Sequence, residues 1–324
     1  MPRSRSTTAS GPSLAATGAV PAPLRRLGRA LLQGWGALGA ASGWRYQVVE
    51  RWGARLAEDH ALRTTLPGGL AFDADLGDFI GRFTYFQGAF EPIEMCLVGR
   101  LLAPGMTVID GGANQGVWTL HTSRLVGPTG RVIAFEPITT NFAALEHHVR
   151  LNQLGNVTLV RKALWSGAAT LEFGRPDDHA DNAGTWGAGV ARTRDHETIE
   201  AVAFDDLGVA GSVDFIKLDV EGSELAALHG MRRTIDQDSP LMLVELSRGA
   251  ARRAGASVED LWRHITAELG YQVWRIGSTP ALSGLITDPA TVEDANTICY
   301  RGPMPEALKA GWDYKQVLKW ARSG

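Results

Sequence analysis

The segment that most constrains the fold is residues 105–116, which read GMTVIDGGANQG. A short β-branched run ends at an acidic residue, a glycine-rich bend follows, and residues 117–120 can continue as a helix. This order is typical of the strand, tight turn and helix start at the head of a nucleotide-binding α/β domain. Glycines at such a bend let the backbone turn sharply and let a ligand approach it closely.

Two phosphate-binding motifs fail at named positions of this bend. A dinucleotide motif of the form G-x-G-x-x-G starting at Gly111 would need glycine at Ala113, and a phosphate loop would need lysine at Val117. The remaining pattern over residues 110–116 is D-x-G-x-N-x-G, without lysine or arginine to meet phosphates. The expected ligand is therefore a nucleoside with a zwitterionic tail, S-adenosylmethionine, whose ammonium and hydroxyl donors suit a carboxylate and an amide.

The next predicted strand, residues 130–135, ends directly before Glu136 and Pro137. An acidic side chain at this position accepts hydrogen bonds from the two ribose hydroxyls of a bound nucleoside. Glu136 follows Asp110 by 26 positions, which leaves room for a helix between the two strands. The alternative is an ordinary glutamate at the end of a strand in a generic α/β sheet.

A third predicted strand, Val157–Val160, precedes Ala163 and Leu164 at the sheet edge where an adenine ring would lie. We therefore predict a cofactor site at the carboxyl ends of the strands. Its predicted residues, including one from a later strand, are Asp110, Gly111, Gly112, Ala113, Asn114, Gly116, Glu136, Pro137, Ala163, Leu164 and Asp219.

Acidic residues also follow two later strands. Residues 213–218 read as a buried strand that carries Lys217, and Asp219 and Glu221 stand at its carboxyl end. A further strand ends around Glu245. A buried lysine needs a partner, and carboxylates at the ligand-binding edge of such a sheet are candidates for acid–base chemistry. We predict that Asp219 and Glu221 are catalytic and that the lysine and the third carboxylate orient them; the alternative is a structural ion pair.

Three residues outside these strand ends are candidates for substrate contact. Glu91 lies in an aromatic stretch, residues 85–92, that could roof the active site or pack under the sheet. Residues 174–196 are the least regular part of the chain, where Trp186 offers a stacking surface and His179 stands among aspartates. These aspartates resemble metal ligands in composition, but we favour a solvated loop because long irregular segments of mixed polarity lie on the surface.

Composition narrows the class of protein. The 324 residues are 44% hydrophobic and 21% charged, which indicates one large globular domain with additions. A net charge of -3 gives no reason to expect nucleic acid. Cys96 and Cys299 lie far apart and form no chelating or redox pair, which favours a reducing compartment. We expect a cytoplasmic protein that acts on a small molecule or glycan, with a homodimer left open.

The front of the chain has an unusual charge pattern, since residues 1–49 contain six arginines and no acidic residue. We predict that residues 1–43 are disordered and that residues 1–45 are dispensable for chemistry. Such a segment resembles an organelle transit peptide, although a disordered bacterial leader is the favoured interpretation. The apolar run of residues 31–41 is too short to cross a bilayer, so we predict no membrane span and no secretory signal.

The remaining chain divides into three predicted parts. Residues 44–104 form a helix, a hairpin and the roof of the active site; residues 105–305 form the cofactor-binding domain; residues 306–324 form a peripheral helix. The adjacent His147 and His148 point to different sides of their helix, so they cannot chelate one ion together. We predict that both lie at the surface.

Four motifs together carry a family resemblance: DGGANQG at residues 110–116, FEP at 135–137, FIKLDVEGSE at 215–224 and VEL at 244–246. With these motifs the chain resembles the FkbM family of S-adenosylmethionine-dependent methyltransferases. The resemblance implies a class I Rossmann-like α/β fold, with a seven-stranded, mostly parallel sheet and helices on both faces. It also implies methylation of an oxygen, commonly in a sugar or secondary-metabolite hydroxyl.

Methyl transfer from a sulfonium is an in-line displacement, so the protein holds the acceptor oxygen behind the methyl group and helps to remove a proton. Asp219 and Glu221 would act either as the base or as ligands of Mg²⁺, and the sequence leaves both open. One alternative is a nicotinamide-dependent oxidoreductase, which the incomplete glycine motif disfavours. The other is a non-catalytic S-adenosylmethionine-binding protein, which would lack the strand-end carboxylates.

Overall fold

The centre of the fold is an eight-stranded sheet built around the strand of the glycine-rich segment. A computed structural model describes residues 20–37, 44–58, 60–175, 186–188, 196–277, 280–292, 294–309 and 316–317. Numbered in chain order, the strands of this sheet lie side by side as β13 (Leu282–Leu285), β12 (Gln272–Ile276), β14 (Ala295–Tyr300), β11 (Leu241–Leu246), β10 (Phe215–Leu218), β3 (Thr107–Gly111), β4 (Arg131–Phe135) and β5 (Val157–Val160). The strands from β11 to β5 run parallel, and β14 pairs antiparallel with both of its neighbours.

Helices cover both faces of this sheet. Successive side chains of a strand point to opposite faces, so Val108 and Phe215 pack into one apolar cluster and Ile109 and Ile216 into another. The helices that follow the parallel strands are α5 (Val117–Val126), α6 (Thr139–Leu151), α7 (Glu224–His229), α8 (Arg232–Asp238), α9 (Arg248–Arg253) and α10 (Val258–Arg263). A π-helix, His264–Glu268, continues α10, and short 3₁₀ helices span Phe204–Asp206 and Pro289–Thr291.

The order of the strands places the ligand-binding edge. From β3 the chain proceeds outward to β4 and β5, and later returns to the other side of β3 as β10 and β11. Ligands of such sheets bind at the carboxyl ends where the order reverses, which is the edge between β3 and β10. The predicted Rossmann-like α/β class is confirmed. The sheet has one strand more than the predicted seven because β13, a short segment containing serine and glycine, pairs with β12.

A second, four-stranded sheet stands beside the first. It consists of β6 (Ala163–Leu164), β9 (His196–Val202), β7 (Ala169–Gly174) and β8 (Gly187–Ala188), in that order. Its apolar residues, among them Phe173 and Ile199, pack on Ile138 at the end of the loop after β4. This sheet therefore flanks the ligand-binding edge. The predicted irregular segment has Trp186 and β8 within the described residues, whereas His179 and the aspartates at 177, 178 and 181 lie outside them.

The region before the main sheet carries the predicted helix and hairpin. Its elements are α2 (Trp44–Gly53), a 3₁₀ turn (Ala54–Leu56), β1 (Leu62–Leu66), β2 (Leu70–Ala74), α3 (Phe79–Gln87) and α4 (Pro92–Val98). β1 and β2 pair antiparallel, and residues of α3 and α4 pack into the cluster beneath β3. Both predicted elements are confirmed.

The prediction that residues 1–43 are disordered is wrong over Ala22–Ala37, which forms helix α1. Arg25 and Arg29 pair with Glu58 at 2.9 and 2.7 Å, and Arg29 also donates to the carbonyl oxygen of Leu56. The acid-free composition of the first residues concealed these contacts because the partners lie some thirty positions further along the chain.

The prediction that both adjacent histidines lie at the surface is wrong for His148. The His148 ring stacks on Phe72 with 4.1 Å between ring centroids, its Nδ1 lies 2.8 Å from the carbonyl oxygen of Gln115, and its Nε2 accepts from the backbone nitrogen of Asp73. The hairpin covers this side of α6, which helical periodicity alone did not indicate. His147 is exposed, as predicted.

Near the carboxyl end, helix α11 spans Glu306–Lys309. Of the peripheral helix predicted over residues 306–324, only this turn and residues 316–317 lie within the described part. No helix among the described residues has the length and apolar character that crossing a bilayer requires.

Asp78 joins the roof of the predicted site to the glycine-rich segment, and its loss should destabilise the fold. Its Oδ2 accepts from the backbone nitrogen of Gly81 in α3 and from Nε2 of the buried Gln115, each at 3.0 Å. We expect Asp78→Ala to lower the free energy of unfolding in urea by about 1–3 kcal/mol, because it removes a helix cap and a buried acceptor.

Ser257→Ala is the matched control for this experiment. The Ser257 hydroxyl accepts from the backbone nitrogen of Asp260 at the start of α10 and donates to Oε2 of Glu259 at 3.1 Å, so its loss removes a cap and one partly buried hydrogen bond far from the cavity and should cost about 1 kcal/mol. If Asp78→Ala were no more destabilising than Ser257→Ala, the bond to Gln115 would contribute nothing to stability.

Candidate functional site

A cavity of about 260 Å³ opens at the carboxyl ends of β3, β4 and β10. Its walls come from the roof, the glycine-rich loop, the loop after β4, the second sheet and the ends of β10 and β11. The lining residues are Phe79, Ile80, Phe90, Glu91, Gly112, Ala113, Asn114, Gln115, Val117, Trp118, Phe135, Glu136, Pro137, Ile138, Asn141, Lys162, Ala163, Leu164, Phe173, Trp186, Lys217, Asp219, Val220, Glu221, Ser223 and Glu245. Most of the residues predicted from the sequence therefore meet in one space.

The glycine-rich loop is held tightly between β4 and β10. Gly112 has a φ of 77°, and a Cβ atom there would lie 1.8 Å from the carbonyl oxygen of Asp219. The backbone nitrogens of Gly112 and Ala113 donate to the carbonyl oxygen of Phe135 at 3.1 and 2.9 Å. Only glycine fits at position 112, and the open backbone of the loop faces the cavity.

Three predicted cofactor residues, Asp110, Gly111 and Gly116, do not line the cavity. Asp110 is fully buried behind the loop, where its Oδ2 accepts from the Thr119 hydroxyl at 2.5 Å. Burial raises the pKa of Asp110, while the nearby charge of Lys217 opposes this effect. Asp110 therefore joins the end of β3 to α5 and does not line the cavity. The spacing of the motif could not distinguish this structural role from cofactor binding.

Glu136 stands at the opposite side of the cavity and is 4% exposed. Its Oε2 accepts from the backbone nitrogen of Asn114 at 2.8 Å, and its Oε1 accepts from that of Ile138 at 2.9 Å. Burial raises the pKa of this carboxyl to about 7, against the lowering effect of these hydrogen bonds. The carboxylate is thus fixed in place, and it has lone pairs left for the vicinal hydroxyls of a ribose.

Lys217 is the buried cation of the site. Its Nζ donates to Oδ2 of Asp219 at 3.1 Å and to the carbonyl oxygen of Gly112 at 3.2 Å. Burial lowers the pKa of Lys217, but the carboxylates of Asp219, Asp110 and Glu91 outweigh this and leave that pKa above its ordinary value. The lysine is therefore charged, and the predicted pairing of Lys217 with a strand-end carboxylate is found.

Two further carboxylates complete the predicted catalytic edge. Glu221 adopts a left-handed φ of 53° and accepts from Arg253 at 3.0 Å. Burial, and then the charge of Asp219, raises the pKa of Glu221 to about 8, although Arg253 opposes the shift. Burial and the neighbouring carboxylates also raise the pKa of Glu245, whose Oε2 has no partner among the described residues.

Glu91 enters the cavity from the roof. The residue has a left-handed φ of 50°, its Oε2 accepts from Nε1 of Trp118 at 2.8 Å, and its Oε1 accepts from Nδ2 of Asn296 at 2.7 Å. Burial raises the pKa of Glu91 to about 7, and the charges of Glu94 and Asp219 add to the shift. Sequence reasoning missed Trp118 and Asn296 as partners, because 205 positions separate Glu91 from Asn296.

A third residue that sequence reasoning missed is Glu224, the first residue of α7. Its Oε1 accepts from the backbone nitrogens of Val220 at 3.0 Å and Gly222 at 3.2 Å, so it shapes the loop that carries Glu221. Glu224 is the last residue of the motif at residues 215–224, and its place in that motif is the only sequence feature that could have indicated this role. Trp186 lines the cavity as predicted, with the guanidinium of Arg175 5.7 Å from its ring centroid.

The acidic edge does not form a preassembled metal site. Within the described ranges, Asp219, Glu221 and Glu245 do not bring three donor atoms close enough together to share one ion. Asp219 and Glu221 are instead engaged by Lys217 and Arg253. The described residues therefore give no support to the Mg²⁺ alternative, since such an ion would have to displace these cations and take most of its ligands from water.

The chain is similar over short stretches to curated proteins. A 48-residue stretch is 44% identical to ribosomal RNA large subunit methyltransferase E of Pseudomonas paraeruginosa and 46% identical to that of Pseudomonas fluorescens. Each match covers 15% of this chain and 23% of the relative. The chain thus spans about a quarter of the length of these curated relatives.

Solved structures with a similar arrangement include two methyltransferases. The methyltransferase FkbM from Methylobacillus flagellatus KT is 19% identical, with a TM-score of 0.41 over 69% of this chain and 55% of the other. A SAM-dependent O-methyltransferase from Thermotoga maritima is 14% identical, with a TM-score of 0.39 over 67% of this chain and 68% of the other.

A family model identifies the chain directly. Residues 110–273 match the methyltransferase FkbM domain, from the acid one residue before the end of β3 to the second residue of β12. The matched segment holds the glycine-rich loop, Glu136 and the carboxylates at the carboxyl ends of β10 and β11. Since it covers just over half of the 324 residues, the chain belongs to the FkbM methyltransferase family.

Proposed function

We propose that this protein transfers a methyl group from S-adenosylmethionine to a hydroxyl group of a small molecule or glycan. The observation that carries the proposal is that Glu136 and the glycine-rich loop line the same cavity as Glu91, Lys217 and Asp219. Nucleoside recognition and proton transfer would then occur in one enclosed space. Membership of the FkbM family supports methyl transfer.

The residues of the cavity fit the parts of the cofactor. Glu136 would accept from the ribose hydroxyls, the open backbone at Gly112 would lie against the tail, and Asp219 would meet its ammonium group. Ala163 and Leu164 offer apolar contacts to the adenine. When bound, the cofactor supplies a methyl group on a positively charged sulfur, and the protein supplies orientation and electrostatics.

Among the cavity carboxylates, Glu91 is best suited to remove the proton of the acceptor hydroxyl. Asp219 and Glu221 are each paired with a cation, at 3.1 and 3.0 Å. The side chains that donate to Glu91 among the described residues are an indole and an amide, both neutral. A cationic partner occupies an oxygen that would accept the proton, and Glu91, with a pKa of about 7 against about 8 for Glu221, is ionised to a larger extent at neutral pH. We therefore propose Glu91 as the base in place of Asp219 and Glu221. These two carboxylates would instead help to orient the bound ligands.

The walls near Glu91 indicate what kind of acceptor would bind. Phe79, Phe90 and Trp186 line the cavity with aromatic surface, while Glu91 and Lys162 supply polar groups. Sites of this kind hold a ligand by its apolar faces and orient it by a few polar contacts. A hydroxylated ring such as a sugar or a polyol metabolite has both features.

The cofactor assignment predicts that S-adenosylhomocysteine binds and that Glu136 is central to its affinity. We expect titration calorimetry to show one site per chain. Glu136→Gln should weaken binding roughly 10- to 100-fold, about 1.4–2.7 kcal/mol, because the charged acceptor for two hydroxyls is lost.

Glu197→Gln is the matched control, since the Glu197 carboxylate also accepts a backbone hydrogen bond beside the same loop, from Thr139 at 3.1 Å, but lies outside the cavity lining. The affinity of Glu197→Gln for S-adenosylhomocysteine should equal that of the wild type. Binding of NADH without binding of S-adenosylhomocysteine would instead favour an oxidoreductase.

The base assignment predicts a large effect of Glu91→Gln on turnover. Mass spectrometry of a panel of sugars and hydroxylated metabolites, incubated with S-adenosylmethionine, should identify an acceptor that gains one methyl mass. With that acceptor we expect kcat to fall about 10²- to 10⁴-fold in Glu91→Gln, while S-adenosylhomocysteine affinity stays near that of the wild type.

The pH dependence of kcat/KM provides a second test of Glu91 as the base. Because a base must be ionised, kcat/KM of the wild type should rise with pH through about 7, the pKa of Glu91. The Glu91→Gln variant should lose this rise, the acidic limb of the pH profile. If Asp219→Asn or Glu221→Gln removed the limb and Glu91→Gln retained it, the base would lie on the β10 loop.

Turnover should be insensitive to removal of Mg²⁺, since the acidic edge lacks three converging donors within the described residues. We expect the initial rate after EDTA treatment and desalting to equal that of untreated enzyme. Loss of activity that added Mg²⁺ restores and added Zn²⁺ does not would identify the carboxylates of the edge as Mg²⁺ ligands.

A further inference from the structure

A second group of metal-binding side chains lies outside the cavity. His229 is the last residue of α7, and His264 and Glu268 are the first and last residues of the π-helix. One donor atom from each of the three lies within 4.8 Å of the other two. The protein thus offers two imidazoles and a carboxylate, a combination that suits a transition metal such as zinc.

His264 is the fixed member of this group. Its side chain is buried, its Nδ1 lies 2.8 Å from Oε2 of Glu268, and its Nε2 has no partner among the described residues. The ring of His229 stands almost perpendicular to it, at 81°, with 4.4 Å between centroids.

The backbone at this place is unusual as well. A π-helix is rare, and single turns of it occur frequently at functional sites. Here it covers the five residues that carry two members of the group. Residues four apart lie on the same side of a helix, so the turn directs the donors of His264 and Glu268 toward one side.

We propose that His229, His264 and Glu268 bind one divalent transition-metal ion of the zinc class, with a fourth position open to water. Ligand atoms of such an ion lie about 2.0–2.2 Å from the metal, so the three donors must move closer together. His229 and Glu268 are exposed and can rotate, while His264 stays in place.

One nearby cation opposes this binding, because Arg232 lies close to His264. The guanidinium of Arg232 donates through Nε to Asp236 at 2.6 Å and through Nη2 to the carbonyl oxygen of Glu268 at 3.4 Å, so both acceptors offset part of its charge. The ion would join the end of α7 to the π-helix. Since Glu224 at the start of α7 holds the Glu221 loop, the ion would stabilise that helix from its far end.

Calorimetric titration of the full-length, chelator-treated protein with zinc chloride tests the site. We expect one equivalent to bind and the thermal unfolding temperature to rise with zinc. His229→Ala and Glu268→Gln should each weaken zinc binding by at least about tenfold. Both residues are exposed, so the metal-free variants should unfold at the wild-type temperature. With Co²⁺ as probe, the visible absorption of a nitrogen-ligated ion should appear in the wild type and fade in His229→Ala.

His147→Ala is the matched control. His147 is an exposed histidine whose Nε2 lies 2.8 Å from a carboxylate oxygen of Asp73, so it is a comparable pair outside the proposed site. Its loss should leave zinc binding unchanged. Zinc affinity equal to that of the wild type in both His229→Ala and Glu268→Gln, or no binding by the wild type, would overturn the proposal.

Discussion

The buried ammonium group of Lys217 is the constraint on which the site depends. Lys217 stands in β10 between two neighbouring strands, with its side chain 4% exposed. Removing such a charge from water costs roughly several kcal/mol unless partners surround it. Asp219 and the carbonyl oxygen of Gly112 bind it directly, and Asp110 lies opposite it in β3. The lysine therefore fixes the position of the glycine-rich loop relative to the end of β10.

The charge balance of the cavity follows from this arrangement. Among the described residues, five carboxylates line the cavity, Glu91, Glu136, Asp219, Glu221 and Glu245, against two lysines, Lys162 and Lys217. Burial and mutual repulsion raise the pKa of Glu91, Glu221 and Glu245. A ligand that carries positive charge would relieve this repulsion. The sulfonium and ammonium groups of S-adenosylmethionine have the required sign, so the same electrostatics that strain the free site favour the proposed cofactor.

The parts of the site that the sequence predicted depend on local pattern. The bend after β3, Glu136 after β4 and the acids after β10 each follow a short apolar strand, and parallel strands bring their carboxyl ends to one edge. Pairings between distant segments carry no such pattern. The contacts of α1 with Glu58 and of Glu91 with Asn296 were therefore missed, because hydrophobic periodicity identifies a face and not its partner. Asp110 shows the same limit, since its position in the motif did not reveal that it is buried outside the lining of the cavity.

Glu91, the proposed base, also holds three segments of the fold together. Its carboxylate joins three segments that are remote in sequence: the roof before α4, Trp118 on α5 and Asn296 on β14. Its left-handed backbone is unfavourable for a residue with a side chain, and these two hydrogen bonds offset that cost. Protonation would weaken both bonds, because an ionised acceptor binds its donors more strongly than a neutral one. The proton that Glu91 would take from an acceptor hydroxyl would therefore weaken the two bonds by which its carboxylate joins the roof to α5 and β14.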